Sequence, residues 1–179
     1  MIEEFSVHPK PQNKNAKLIF LIIFLLSAVG FVTYFFMDQY RGIVGFIALM
    51  LLVTALLVYT KYLSVEFYYD ITKDSEGTPI FVVRQLIGKR QTTLCRVSLW
   101  DILKIEKETA SERRAHKTER NIVKYVYAPT LNPAISYRVT VSNRYEKAEI
   151  IIEGTDEFIE LLRKYSAEAR LMRSEIDDE

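Results

Sequence analysis

Two long uncharged stretches near the start of the chain constrain its fold more than any other feature. Residues 18–37 contain no charged side chain in 20 positions, and residues 42–60 contain none in 19. Twenty helical residues span roughly 30 Å, the thickness of the hydrocarbon core of a bilayer. Only a helix satisfies its own backbone polar groups in lipid. The sequence therefore predicts a two-helix transmembrane hairpin, with spans at about 18–37 and 42–61.

The turn between the spans fixes the relative direction of the helices. It contains only Asp38–Arg41, so the helices must be antiparallel and both ends of the hairpin must share one side. Basic residues near span ends favour the cytoplasmic side. The turn has only Arg41, whereas the shared side has four lysines: Lys10, Lys14, Lys17 and Lys61. We therefore predict a multi-pass protein of the inner, cytoplasmic membrane with both termini in the cytoplasm.

The composition of the spans predicts an anchor. Neither span contains an ionisable Asp, Glu, Lys, Arg or His residue. Proton relays, ion sites and substrate pathways usually require such residues within the membrane. The hairpin is therefore predicted to hold the chain at the bilayer, and transport or channel activity is disfavoured.

The pattern changes after Leu63. Residues 64–179 carry 20 acidic and 19 basic side chains, as expected for a water-exposed domain. Apolar and polar residues alternate over 65–72, which predicts a half-buried strand, and the polar segment 108–119 predicts a loop. Further strands are predicted at 80–86, 91–97, 102–107, 121–127, 135–141 and 147–152. The apolar residues of a final amphipathic helix are Phe158, Leu161, Leu162 and Tyr165.

These elements predict the fold class. It is an N-terminal two-helix transmembrane hairpin followed by a mostly antiparallel β domain of six to seven strands, closed by a C-terminal α-helix. The predicted divisions are a cytoplasmic N-terminal tail at 1–17, the hairpin at 18–62, the β domain at 63–172 and an acidic tail at 173–179.

The cytoplasmic part resembles the bacterial pleckstrin-homology-like (PH-like) domains of membrane-anchored proteins. The residues that support the resemblance are Tyr69-x-Ile71, Val82-Val83 with Ile87-Gly88, Val97-Ser-Leu-Trp-Asp-Ile102 with Ile105-Glu106, and the closing strand and helix from Ala148 to Leu162. The resemblance implies a twisted, partly open barrel plugged by the C-terminal helix. Such a scaffold serves binding far more often than catalysis, although fold alone does not fix function.

The sequence offers little support for an enzyme. Cys95 is the only cysteine, so it has no partner for a disulfide or a cysteine-based zinc site. His8 and His116 lack the spacing that a metal site needs, and no phosphate loop or nucleophile elbow occurs. We predict that the protein is not an enzyme and uses no cofactor and no metal.

Charge asymmetry suggests one candidate binding surface. Residues 84–120 contain ten basic and five acidic side chains, whereas residues 149–179 contain four basic and ten acidic ones. A basic region close to an anionic leaflet favours lipid contact. The candidate lipid-headgroup residues are Lys89, Arg90, Arg113, Arg114 and Lys117. The alternative is that these residues belong to solvated loops whose charge serves solubility.

The resemblance disfavours specific phosphoinositide binding. In phosphoinositide-binding relatives, the loop between the first two strands carries a basic clamp. Here that loop is Lys73–Gly77, which is acidic on balance. Nucleic acid is also disfavoured, because no basic face is interleaved with stacking aromatic residues.

A tyrosine- and proline-rich segment is the candidate protein-binding surface. Tyrosine is favoured in recognition surfaces, and prolines stiffen the connection. The candidate residues are Tyr125, Tyr127, Pro129, Leu131, Pro133 and Tyr137. The alternative is a proline-shaped connection whose tyrosines cover the core, and an exposed strand edge could also accept a partner peptide.

The leading hypothesis is a membrane-anchored binding or scaffolding module. It would present the PH-like domain to an unknown protein partner, or to other copies of the chain, at the cytoplasmic membrane face. The runner-up is a peripheral sensor of anionic lipid that uses the basic region 84–120.

Overall fold

The computed structural model describes residues 4–9, 14–116, 122–143 and 146–177, with side chains up to residue 173. The chain divides into two compact units. One comprises residues 12–65, and the other comprises the N-terminal residues together with residues 66–179.

The first unit is a pair of long helices. Helix α1 is Lys14–Phe36, and helix α2 is Arg41–Val58, which continues as a π-helical turn at Tyr59–Leu63. Both helices are long and apolar enough to span a membrane. The two predicted helices are thus confirmed, with ends that differ from the predicted spans by a few residues.

Small residues bring the two helices together. A Cβ atom added at Gly30 would lie 2.9 Å from the Cβ atom of Ala48, so the backbones approach closely at this point. The Ser27 hydroxyl donates a 2.9 Å hydrogen bond to the Ala48 carbonyl oxygen. Small residues at the contact and hydroxyl groups that bond across it are typical of helix packing in membranes. Most of the large apolar side chains on both helices are exposed.

Sheet A contains an N-terminal strand that the sequence did not predict. Its strands are β1 (Phe5–Val7), β2 (Val65–Lys73), β3 (Pro79–Ile87) and β4 (Arg90–Ser98), adjacent in that order. Strand β1 pairs antiparallel with β2, with Val7 opposite Tyr69. Residues that we assigned to a cytoplasmic tail at 1–17 thus form part of the folded domain.

Sheet B contains a parallel pair. Its strands are β5 (Ile102–Thr109), β6 (Ile122–Val126), β7 (Ile135–Ser142) and β8 (Lys147–Ile152), in the spatial order β5-β7-β8-β6. Strands β7 and β8 form an antiparallel pair, whereas β6 runs parallel to β8. The described residues therefore form eight strands with one parallel pair, where six to seven mostly antiparallel strands were predicted.

A short helix replaces much of the predicted loop at 108–119. Glu108 and Thr109 extend strand β5, and helix α3 (Ala110–Ala115) follows directly. The Glu112 carboxylate accepts a 2.8 Å hydrogen bond from the Thr109 backbone N–H, and the Thr109 hydroxyl in turn accepts from the Glu112 N–H. This reciprocal capping box starts a helix in a segment that composition alone assigns to a loop. Residues 117–121 lie outside the described residues.

The core of the second unit is organised around helix α4 (Asp156–Asp177). Three of the four residues of the predicted apolar face, Phe158, Leu162 and Tyr165, are buried, and Leu161 is half-buried. The Phe158 ring centroid lies 6.2 Å from those of Phe5 and Tyr69, and equally far from that of Phe81. One helix residue thus contacts three neighbouring strands of sheet A. The helix continues to Asp177, through most of the segment predicted as an acidic tail.

Candidate functional site

The two sheets leave an open seam where each has an edge strand. Strand β4 ends sheet A and strand β6 ends sheet B. A cavity of about 200 Å³ lies there, lined on one side by Cys95–Ser98 and on the other by Tyr125, Ala148 and Ile150. We call this region the β4–β6 seam. Among the residues that the structure describes, no further strand pairs with β4 or with β6 at this edge.

Two stacked tyrosines occupy the end of β6. The rings of Tyr125 and Tyr127 have centroids 6.1 Å apart and are inclined by only 13°. The Tyr127 carbonyl oxygen accepts a 2.7 Å hydrogen bond from the Tyr69 hydroxyl, and the Tyr127 ring lies 6.4 Å from that of Phe67. Burial raises the pKa of both Tyr69 and Tyr127, so both hydroxyls stay protonated. Tyr127 thus ties the end of β6 to sheet A, while Tyr125 remains exposed.

The predicted protein-binding residues divide into exposed and buried groups. Tyr125 and Leu131 are exposed, and Tyr127 is half-buried. The structure buries the other three, which are Pro129, Pro133 and Tyr137. The six residues therefore do not form one continuous surface.

Tyr137 has a structural contact at the start of helix α4. Its hydroxyl donates to the Asp156 carboxylate, and the Lys107 ammonium lies 3.0 Å from the same carboxylate oxygen. The hydrogen bond from Tyr137 and the neighbouring Lys107 ammonium lower the pKa of Asp156. An anionic carboxylate also suits the first turn of a helix. Tyr137 thus joins β7 to α4.

The predicted lipid-binding residues also separate. Lys89 is exposed in the β3–β4 turn, Arg90 is exposed at the start of β4, and Arg114 is exposed on α3. The Arg113 guanidinium instead donates to the Ser136 hydroxyl at 2.7 Å, and to the oxygens of two nearby residues of the proline-rich connection. It therefore holds α3 against that connection. Lys117 lies outside the described residues.

A buried ionic cluster lies on sheet B, and sequence reasoning did not identify it. The Arg138 guanidinium pairs with the Glu108 carboxylate, and its Nε atom lies 3.8 Å from a Glu149 oxygen. The other Glu149 oxygen is 3.2 Å from His116 Nε2. All members except His116 are buried. Because an uncompensated buried charge is costly, such a cluster is a structural element whose members depend on one another. The alternating strand pattern could not reveal it, since each residue looks like a solvent-facing position.

A second open cavity, of about 490 Å³, is lined by residues of all four strands of sheet A. One lining residue, Asp70, is buried and accepts hydrogen bonds from the Ser6 hydroxyl and, at 2.5 Å, from Arg84 Nε. Arg96 also lines the cavity. The remaining charged lining residues are Glu4, Lys73 and Asp74. The three acidic and three basic side chains balance, so the lining favours no single ligand charge.

Little in the described residues suggests reactive chemistry. Burial raises the pKa of the Cys95 thiol, which disfavours the nucleophilic thiolate. Within the part of the chain that the structure describes, no three His, Cys, Asp or Glu residues form a group that could hold a metal ion.

Comparison with known protein families gives no match to this chain, and comparison with curated proteins finds no relative. The case for a function therefore depends on the geometry of the seam and of the strands beside it.

Proposed function

We propose that this chain is a two-pass membrane protein whose N-terminal segment and β domain both lie on the cytoplasmic side. The two apolar helices, with their exposed large side chains, support the membrane assignment. The pairing of β1 with β2 supports a shared side, because the segments before α1 and after α2 belong to one sheet. The lysines that flank the helices favour the cytoplasm.

We further propose that the PH-like β domain is a non-enzymatic module that binds an extended segment of a partner protein along strand β6. The observation that supports this most directly is the exposure of apolar side chains on an edge strand. Val123, Tyr125 and Val126 are 46 %, 41 % and 60 % exposed, respectively. A sheet edge with exposed apolar side chains is a template for strand addition.

The direction of the β6 backbone groups defines the available edge. The Tyr127 N–H points toward β8, where it donates a 2.9 Å hydrogen bond to the Ile151 carbonyl oxygen. Backbone groups alternate sides along a strand, so the N–H groups of Lys124 and Val126 point toward the opposite edge. A partner strand would therefore bond to residues 124 and 126.

The side chains of β6 also indicate the chemistry of the partner. Val123 and Tyr125 lie on one face of the strand, and Lys124 and Val126 lie on the other. A symmetric antiparallel pairing of two copies centred on Lys124 would place two ammonium groups opposite each other, which is unfavourable. A partner segment with alternating apolar residues and an acidic residue opposite Lys124 fits better. The register centred on Lys124 is therefore disfavoured for two copies of this chain.

The test is site-specific photo-crosslinking of the full chain in membranes. A photoreactive residue at position 124 should give a discrete protein adduct, whereas one at Ser75 in the exposed β2–β3 turn should not. Val126→Pro removes an outward N–H without removing a bond to β8, so adduct yield should fall about tenfold. Val126→Thr keeps the backbone donor and should retain most of the adduct.

Equal adducts at positions 124 and 75, or an adduct that Val126→Pro leaves unchanged, would contradict strand addition at this edge. An adduct of twice the chain mass would show that the bound segment belongs to a second copy of this chain and not to a different protein.

A further inference from the structure

The turn between β3 and β4 is a compact tip with exposed apolar and basic side chains. Ile87 and Arg90 are the last paired residues of the two strands, and Gly88 and Lys89 form the turn. Gly88 has a φ of +61°, whereas Lys89 does not have a positive φ. This combination is typical of a type II′ turn, in which glycine takes the first central position. Ile87 is 49 % exposed, and Lys89 and Arg90 are also exposed.

The strand connections place this tip at a particular end of sheet A. Strands β2 and β3 have nine residues each and are joined by a turn in which the Asp74 N–H donates to the Thr78 carbonyl oxygen. The start of β2 and the end of β3 therefore lie at the same end of the sheet. Strand β1 is antiparallel to β2, and His8 Nδ1 lies 3.1 Å from the Phe67 carbonyl oxygen near the start of β2. The chain thus leads toward both apolar helices from the end of the sheet that carries the Ile87–Arg90 tip.

The two ends of sheet A differ in charge. The tip carries Lys89 and Arg90, while the opposite end carries Asp74 and Glu76 together with the single cation Lys73. One acidic side chain, Glu66, is also exposed near the tip end, where its carboxylate lies 3.8 Å from His8 Nε2. The tip itself has an apolar side chain next to two cations, a combination suited to the boundary between lipid headgroups and acyl chains.

We propose that the Ile87–Arg90 tip contacts the anionic cytoplasmic leaflet. Ile87 would enter the headgroup boundary, while Lys89 and Arg90 would lie among anionic headgroups. This proposal rests on the proposed membrane anchoring, and it adds a lipid contact to the two covalent connections. Two basic side chains close to an anionic surface favour the contacting state by about 30-fold. Arg113 takes no part, because its guanidinium is already bonded within the domain.

The test uses the full chain in nanodiscs, with an environment-sensitive fluorophore on a single cysteine. In a Cys95→Ser background, the label is attached at Ile87→Cys, or at Ser75→Cys in the β2–β3 turn as a control. In nanodiscs with anionic lipid, the label at 87 should shift to the blue and be quenched by spin-labelled lipid. The label at 75 should behave as in water. The shift at 87 should vanish at about 1 M salt, where the Debye length is about 3 Å.

The double variant Lys89→Glu/Arg90→Glu should abolish the shift at position 87 without altering the far-ultraviolet circular dichroism spectrum. The proposal would be overturned if the fluorophore at position 87 emitted in anionic nanodiscs as it does in water. An equal blue shift in neutral and anionic nanodiscs would also overturn it. Failure of the chain to co-elute with nanodiscs would overturn the anchoring itself. Co-elution of the chain with nanodiscs, together with water-like emission from the label at position 87, would overturn only the lipid contact.

Discussion

The hydroxyl group of Tyr69 is the most informative single group to remove from the β domain. Tyr69 is fully buried on β2. Its hydroxyl donates a 2.7 Å hydrogen bond to the Tyr127 carbonyl oxygen and accepts a 3.2 Å hydrogen bond from the Glu153 backbone N–H. It therefore links sheet A to the ends of β6 and β8. Tyr69→Phe keeps the ring against Phe158 and removes only these two bonds.

The expected loss follows from the two bonds. Each buried hydrogen bond contributes about 0.5–1.5 kcal/mol, and a buried group left without a partner costs about 1–3 kcal/mol. We therefore expect Tyr69→Phe to lower the free energy of unfolding by about 1.5–3 kcal/mol. For a unit of roughly 120 residues this corresponds to a decrease in Tm of about 6–12 °C.

The assay is thermal unfolding of the full chain in nanodiscs, followed by the near-ultraviolet circular dichroism of the domain. Tyr68→Phe is a matched control at the adjacent position. The Tyr68 hydroxyl makes only a 3.4 Å exposed contact with the Glu66 carboxylate, so its removal should change Tm by less than about 2 °C. Equal effects of the two substitutions, or a Tm unchanged in Tyr69→Phe, would refute the reasoning that this hydroxyl joins the sheets.

Two further predictions concern a half-buried carboxyl group and the helix pair. Burial raises the pKa of Glu153 above its ordinary 4.5, so the folded state binds a proton more tightly than the unfolded state. The stability that this proton contributes is present below about pH 4.5 and is lost as pH rises through the pKa of the folded state. In unfolding curves measured over a series of pH values, Glu153→Gln should flatten this decline of the free energy of unfolding with pH. A decline that Glu153→Gln leaves unchanged would contradict the raised pKa of Glu153. In the helix pair, Gly30→Leu should lower stability by about 1–3 kcal/mol in detergent titration, because Ala48 leaves no room for a side chain. A Cβ atom added at Gly42 meets no atom within 4 Å, so Gly42→Leu should have little effect. Equal losses from the two substitutions would contradict the close contact at Gly30.

The sequence predicted the helices and strands that a pattern of neighbouring residues is enough to identify. An uncharged stretch as long as a bilayer is thick identified both helices, and alternation identified strands such as β2 and β8 to within a residue or two. The spacing of Phe158, Leu162 and Tyr165 identified the buried face of α4.

Elements that depend on distant partners could not be predicted. Strand β1 has only three residues, and the residues it pairs with lie 62 to 66 positions away in the sequence, so alternation gave no usable signal. Alternation also cannot give strand direction, which is why the parallel pairing of β6 was missed. Capping by Thr109 and Glu112 decides where α3 begins. These two residues lie within a charged segment that its composition assigns to a loop, so the capping box was not recognised.

The candidate site was predictable only in part, for a similar reason. Tyrosines and prolines occur both on recognition surfaces and over cores, so composition could not separate exposed Tyr125 from buried Tyr137. A count of basic residues could not show that the Arg113 guanidinium is bonded within the domain, while Lys89 and Arg90 are exposed.

The central claim is that a membrane hairpin anchors a cytoplasmic β domain, and cysteine accessibility in intact cells tests it most directly. In a Cys95→Ser background, single cysteines replace Ser6 in β1, Gln39 between the helices and Ser75 in the β2–β3 turn. A membrane-impermeant maleimide should label only position 39 in intact cells and should label position 75 after lysis. Labelling of position 6 or 75 from outside, or protection of position 39, would contradict the proposed topology.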